Sequence, residues 1–159
     1  MDADRQARST DADRRIPPTF ELRPVGVVRS SLTRRQDAPR QGHAGAPDAW
    51  IEIDERYRDA LLRVEAGMEL VVLTWLHLSD RSVLQVHPGR NHDRPLTGVF
   101  ATRSPVRPNP IGLHPVRVLE VDGCRVHVEP LEAIDGTPVV DLKVELKPKP
   151  EAESESGSG

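Results

Sequence analysis

The residues best suited to chemistry crowd into one proline-rich stretch, residues 98–113, which reads GVFATRSPVRPNPIGL. Pro105, Pro108 and Pro110 fall within six residues, and each fixes φ and removes a backbone donor. Such a loop is stiff, and it holds Arg103, Arg107 and Asn109 at set positions. The plain alternative is a rigid connector whose arginines face water. Polar groups on a stiff loop directly after a strand are nonetheless a sound way to preorganise a binding site. The surroundings are basic. From 81 to 117 six arginines (Arg81, Arg90, Arg94, Arg103, Arg107, Arg117) accompany one acid, Asp93, a local excess of +5 in a chain of net charge −3. A basic band on an acidic protein is compatible with a phosphate-bearing partner.

Other chemical devices are absent from the sequence. There is no G-x-G-x-x-G after a strand, no P-loop, no H-E-x-x-H and no G-x-S-x-G, so a nucleotide-like cofactor is not expected to be held in the Rossmann manner. His87 and His92 lie five residues apart in one loop. Ordinary loop histidines are the plainer reading, and no metal is expected. The single cysteine, Cys124, excludes an internal disulfide framework and any multi-cysteine zinc site.

The elements that must position these residues are mainly strands. Residues 21–30, 49–53, 68–78 and 98–102 read as strands, the third as a buried central one. Asp54 offers an N-cap to a short helix, ERYRDALLRV, ending at Gly67. Val116, Val118 and Val121 precede Asp122-Gly123, and Val126 and Val128 follow, which predicts a hairpin with Asp-Gly at its centre. Asp135-Gly136-Thr137-Pro138 introduces a last strand over 139–146. Six or seven strands with one short helix predict an antiparallel sheet rolled into a barrel or sandwich, with no doubly wound Rossmann domain. The 159 residues suit one domain. Polar residues 1–18 and the low-complexity 147–159 read as disordered tails around a folded unit of 19–146. No run approaches the ~20 apolar residues of a membrane-spanning helix, and MDADRQARSTDADRR lacks the apolar segment of a secretory signal. The expected location is the cytoplasm.

GVFATRSPVRPNPIGLHPVRVLEVDG, followed by LEAIDGTPVVDLK, resembles the TsaA-like (TrmO) family, as do VGVVRS at 25–30, PRQ at 39–41 and LTWLH at 73–77. The resemblance covers residues 20–146. It implies a small antiparallel β-barrel that forms a homodimer. It further implies an S-adenosylmethionine-dependent methyltransferase acting on N6 of threonylcarbamoyl-adenosine at position 37 of the tRNA anticodon loop. Carried over onto matching positions, it implies cofactor binding by Pro39, Arg40 and Gln41, by His77 and Leu78, by Arg103, by Leu113, and by Glu132, Ala133, Ile134 and Asp135. In two places the chain departs from the family pattern. A charged tail follows the last strand where many relatives carry a further domain, and His87 stands where arginine is expected in some relatives.

These residue types suit the implied ligand. Arg40 or Arg103 could clamp its carboxylate bidentately, Asp135 or Glu132 could accept from a ribose diol, and Leu78, Leu113 or Ile134 could pack on adenine. Each has an ordinary alternative: His77 as a strand-end histidine, Leu113 as core, Arg40 as a solvated loop residue, Asp135 as a turn builder. The acceptor nitrogen is a poor nucleophile, delocalised into ring and carbonyl, so a group that accepts its proton or stabilises the developing charge is expected. His77, Asn109 and Asp135 are the candidates. Arg81, Arg90, Arg94 and Arg107 are the candidates for contacts to RNA phosphates or the threonyl carboxylate. Scarce aromatics (Phe20, Trp50, Tyr57, Trp75, Phe100) weigh against base stacking. Two other functions fit the same barrel: methyl transfer to a small molecule, and a non-catalytic module that binds the cofactor.

Overall fold

A computed structural model describes residues 19–40 and 42–147. The expected tails, 1–18 and nearly all of 147–159, lie outside the described residues, as does Gln41. Eight strands form: β1 (Gly26–Arg29), β2 (Ala49–Ile53), β3 (Glu69–Trp75), β4 (Gln85–Val86), β5 (Thr97–Gly98), β6 (Ile111–Asp122), β7 (Arg125–Glu129) and β8 (Pro138–Val144). Six of them close into a barrel in the order β1-β2-β7-β6-β3-β8, every pair antiparallel, while β4 and β5 form a separate small ribbon.

Closure leaves one interior, and the period-two pattern of each strand decides what fills it. In β2 the buried residues are Ala49, Ile51 and Ile53. β6 turns Gly112, His114, Val116 and Val118 inward. With Val28, Leu70, Val72, Val126, Val128, Leu131 and Val139 they form the core. β3, read as buried throughout, instead alternates: Leu70, Val72 and Thr74 are buried while Val71, Leu73 and Trp75 are half-buried. A barrel wall has only one dry face. Against β8 the β3 register shifts between Leu73 and Thr74, where Asp141 and then Val139 are the partners; such a bulge re-aims side chains.

Three expectations are corrected in detail. The helix after Asp54 is a 3₁₀ segment, Glu55–Leu61, ended before Gly67. The Asp54 carboxylate does cap it, accepting from the Arg56 amide at 3.0 Å. The strand over 98–102 is only Thr97–Gly98, continuing into a 3₁₀ turn Val99–Ala101. In the β6–β7 hairpin Asp122 pairs with Arg125, so Gly123 and Cys124 occupy the turn, with Gly123 at φ +59°. A glycine in the first central position is the choice of the other tight hairpin turn. No helix among the described residues is long and apolar enough to cross a membrane.

The antiparallel order sorts the connections. β1–β2 (residues 30–48), β3–β6 (76–110) and β7–β8 (130–137) all cross one end of the barrel, here called the mouth. Among the described residues, the opposite end carries the 54–68 connection, the tight hairpin, and the segments leading into β1 and out of β8. Every candidate site residue except Leu113 belongs to one of the three mouth connections.

Candidate functional site

Backbone and side-chain bonds knit the mouth connections together. Asp135 builds its turn and also ties it to the β1–β2 connection: its carboxylate accepts from the Ser30 amide at 3.1 Å, and its amide donates to the Leu32 carbonyl at 2.7 Å. Gly136 and the Thr137 hydroxyl, which donates to the Ile134 carbonyl at 2.7 Å, complete that turn. Arg35 donates to the Leu78 carbonyl at 2.6 Å, joining the segment before Pro39 to the end of β3. Gly42 lies against Pro130 and Glu132, and the Leu131 amide donates to the Pro47 carbonyl at 3.0 Å. Residues 30–40, Gly42, 76–78 and 130–137 are thereby brought to one place.

The proline-rich loop is braced as its composition suggests, but its arginines divide into two kinds. Arg107 donates to three carbonyls, those of Ser104 (2.8 Å), Val99 (2.7 Å) and Thr102 (2.6 Å). Arg81 donates to the Pro108 carbonyl at 2.6 Å and to Asn109 Oδ1 at 3.1 Å, and lies over the Trp75 ring. These two residues, read from sequence as phosphate contacts, are engaged in holding the loop. Asn109, a catalytic candidate, has its carbonyl oxygen committed to Arg81. Arg40, Arg90, Arg94 and Arg103 are exposed and, among the described residues, make no side-chain hydrogen bond or ion pair. Arg40 meets the β3–β6 connection at Gly89, whose φ is +69° and where a Cβ would stand 2.9 Å from Arg40 Nη1.

His77 is exposed just beyond β3, and Leu78 beside it is 54% exposed. Pro39 and Ile134 are half-buried at the mouth, whereas Ala133 belongs to the core. Leu113 is set apart from the mouth cluster. It projects from the outer face of β6, 43% exposed beside Ile111. Nearby, the Asp80 carboxyl is held below its usual pKa by the Ser82 hydroxyl and amide, at 2.6 and 2.8 Å. His87 and His92 are in ring contact, and His87 Nδ1 lies 2.8 Å from the Arg94 carbonyl. Among the described residues no cluster of three His, Cys, Asp or Glu side chains could hold a metal.

Glu132 is the mouth residue with the most ordered surroundings. Its Oε1 lies 2.6 Å from Nδ1 of His114, and Nε2 of that ring is 2.7 Å from the Thr74 hydroxyl. A carboxylate only accepts, so Nδ1 carries the shared proton, and in the neutral ring Nε2 takes the Thr74 hydrogen. His114 and Thr74 were not singled out from sequence. The available signal was phase: His114 shares the inward face of β6 with Gly112, Val116 and Val118. A shallow depression at the opposite end is lined by Gly67, Met68, Glu69, Arg117, Val144, Glu145 and Lys147, with the Arg117 guanidinium 3.7 Å from the Glu69 carboxylate.

A closed six-stranded antiparallel barrel with arginines and carboxylates gathered in the loops of one end defines the class of protein. The chain belongs to the family described as the tRNA-methyltransferase O N-terminal domain, whose model matches residues 27–147. It is 47% identical over 125 residues to a probable S-adenosyl-L-methionine-binding protein of Methanothermobacter thermautotrophicus, covering 78% of this chain and 88% of that protein. It is 45% identical over 123 residues to an S-adenosyl-L-methionine-binding protein of Archaeoglobus fulgidus, covering 77% and 86%. The fold is similar to the crystal structure of TrmO from Pseudomonas aeruginosa, with a TM-score of 0.65 and 29% identity over 89% of this chain. This chain spans 61% of that one.

Proposed function

We propose that this chain is an S-adenosylmethionine-dependent methyltransferase of the cytoplasm, acting as a homodimer on N6 of threonylcarbamoyl-adenosine in the tRNA anticodon loop. The observation that carries the reading is the gathering of uncommitted arginines and a backed carboxylate at the mouth, in a chain whose relatives are named for binding this cofactor. The residues present fit the cofactor. Arg40 and Arg103, whose guanidinium groups bond to no partner among the described residues, suit its carboxylate. Glu132 and the second oxygen of Asp135 can accept from its ribose hydroxyls, and Leu78 and Ile134 offer apolar surface. Leu113 joins them when a second copy covers the outer face. Exposed Phe100 (87%), Leu84 (64%), Leu96 (56%), Ile111 and Leu113 support such pairing.

When bound, the cofactor supplies an electrophilic methyl on sulfur. The chain's part is to hold the acceptor nitrogen in line with it at about 3–3.5 Å, exclude water and receive the proton displaced from nitrogen. Of the three candidates, Asn109 is a non-basic amide with its oxygen bonded to Arg81, and one oxygen of Asp135 is committed to the Ser30 amide. His77 is exposed with no ring partner among the described residues, and we assign it the proton. Arg90 and Arg94 meet RNA phosphates.

The test is methyl transfer from labelled S-adenosylmethionine into total tRNA, with tRNA lacking the threonylcarbamoyl group as control. Label that depends on that group, and its near loss in Arg103→Ala, is the expected result. Cofactor binding without label in any tRNA would overturn the tRNA acceptor in favour of a small molecule or a binding role.

A further inference from the structure

Thr74, His114 and Glu132 form one hydrogen-bonded chain from the barrel interior to its mouth. Thr74 is 0% and His114 3% exposed, while the Glu132 side chain retains 16%. Most inward positions of the barrel are Val, Leu and Ile, where polar groups are costly to bury unless every one is bonded. Here each is bonded, and no buried side-chain nitrogen or oxygen among the described residues lacks a partner. An apolar trio would fill the same space with no desolvation cost, so the chain's value lies in the geometry it imposes.

The atom order, hydroxyl to imidazole to carboxylate, is that of a nucleophilic triad, but burial reverses its sense. No substrate atom reaches the Thr74 hydroxyl. The open end is the carboxylate, whose Oε1 is taken by His114. Its Oε2 lies 3.2 Å from where a Cβ on Gly42 would stand, so the segment after Pro39 and Arg40 passes close over it.

We infer that His114 is the positioning residue of the mouth. Through its Nδ1 hydrogen it fixes the Glu132 carboxylate so that Oε2 is a preoriented acceptor for donor hydrogens of the bound cofactor, those of its ribose hydroxyls or its α-ammonium. Thr74 fixes the ring in turn. A preoriented acceptor loses less side-chain freedom on binding than a mobile one. This inference rests on the cofactor reading above and deepens it.

Calorimetry on the full chain tests it, with S-adenosylhomocysteine and two analogues, one lacking the ribose 2′- and 3′-hydroxyls and one lacking the amino group. Glu132→Gln and His114→Leu should each weaken S-adenosylhomocysteine binding about tenfold or more. The double variant should be no weaker than Glu132→Gln alone, because both act on one contact. His114→Asn, whose amide can replace the Nδ1 donor, should restore most of the affinity. The analogue missing the group that Glu132 accepts from should be insensitive to both substitutions, which identifies that group. If His114→Leu unfolds the barrel, Thr74→Val removes only the hydroxyl and should weaken binding several-fold. Wild-type affinity in folded His114→Leu or Thr74→Val, or full additivity in the double variant, would overturn the inference and leave the cofactor reading intact. A wild-type chain that binds none of the three ligands would overturn both.

Discussion

Gly112 stands opposite Thr74 across the β3–β6 ladder, and no larger residue fits there. A Cβ on Gly112 would run into the Thr74 hydroxyl and the His114 ring together. The backbone needs no unusual φ at this point, so the requirement is for space. Gly112→Ala should therefore destabilise the barrel by overpacking, about 1–3 kcal/mol, and should separate Thr74 from His114. Urea unfolding followed by circular dichroism measures the first effect, and the His114 ring proton resonances in NMR report the second.

Arg107 replaces a hydrogen-bond ladder for the 98–110 loop. Its guanidinium fork serves the carbonyls of Val99, Thr102 and Ser104, the first of which also accepts from the Thr102 amide. Lysine keeps the charge but cannot span them. Arg107→Lys should raise hydrogen-exchange rates in residues 99–108 about tenfold or more while changing the global unfolding midpoint little, since the loop lies outside the barrel ladder. Equal protection of that loop in the two proteins would refute the bracing role.

How much of this was legible beforehand depended on whether period or geometry was decisive. β2, β6, β7 and β8 announce themselves by alternation, and the wall of the barrel follows. The segment after Asp54 reads as a longer helix from its N-cap and from Gly67 at its end, yet the 3₁₀ segment closes at Leu61, where Leu62 leaves helical geometry (ψ 123°) at 79% exposure and Arg63 follows at φ +69°. Asp122-Gly123 marked the hairpin correctly, but the same dipeptide serves two turn types one residue apart. At the site, proline spacing revealed a stiff loop. It did not reveal that Arg107 braces it while Arg103 stays free, because that depends on where three carbonyls point. His114 was hidden by its neighbours: a histidine between Gly112 and Val116 on one strand face reads as a strand residue until Glu132, eighteen positions away, is brought beside it.

Acid should weaken the protein partly through Asp54. Its carboxyl is lowered to about 2, first by the side-chain bond from Arg56 and next by the Arg56 amide. A depressed folded-state value means that its stabilisation is fully present above the unfolded value near 3.8 and is lost as pH falls towards about 2. Asp54→Asn retains a capping oxygen and removes the charge. The urea midpoints of wild type and Asp54→Asn should differ at pH 5 and converge between pH 4 and pH 2. Because the pair is exposed, the difference should also shrink in high salt.

Arg90 and Arg94 should contribute to RNA affinity differently from Arg81 and Arg107. The first two are exposed without protein partners among the described residues, on the connection that carries β4 and β5. The other two already bond to loop carbonyls. Each phosphate contact to a single strand contributes about 0.7 to the slope of log affinity against log salt. Arg90→Ala with Arg94→Ala should thus flatten the tRNA-binding slope by about 1.4 if both touch phosphate. Arg81→Ala should weaken binding with the slope nearly unchanged, since it loosens Asn109 and the proline-rich loop rather than removing a phosphate contact. Fluorescence titrations of labelled anticodon stem-loop at several salt concentrations separate the two behaviours. A slope that falls equally in both variants would place Arg81 on the RNA as well.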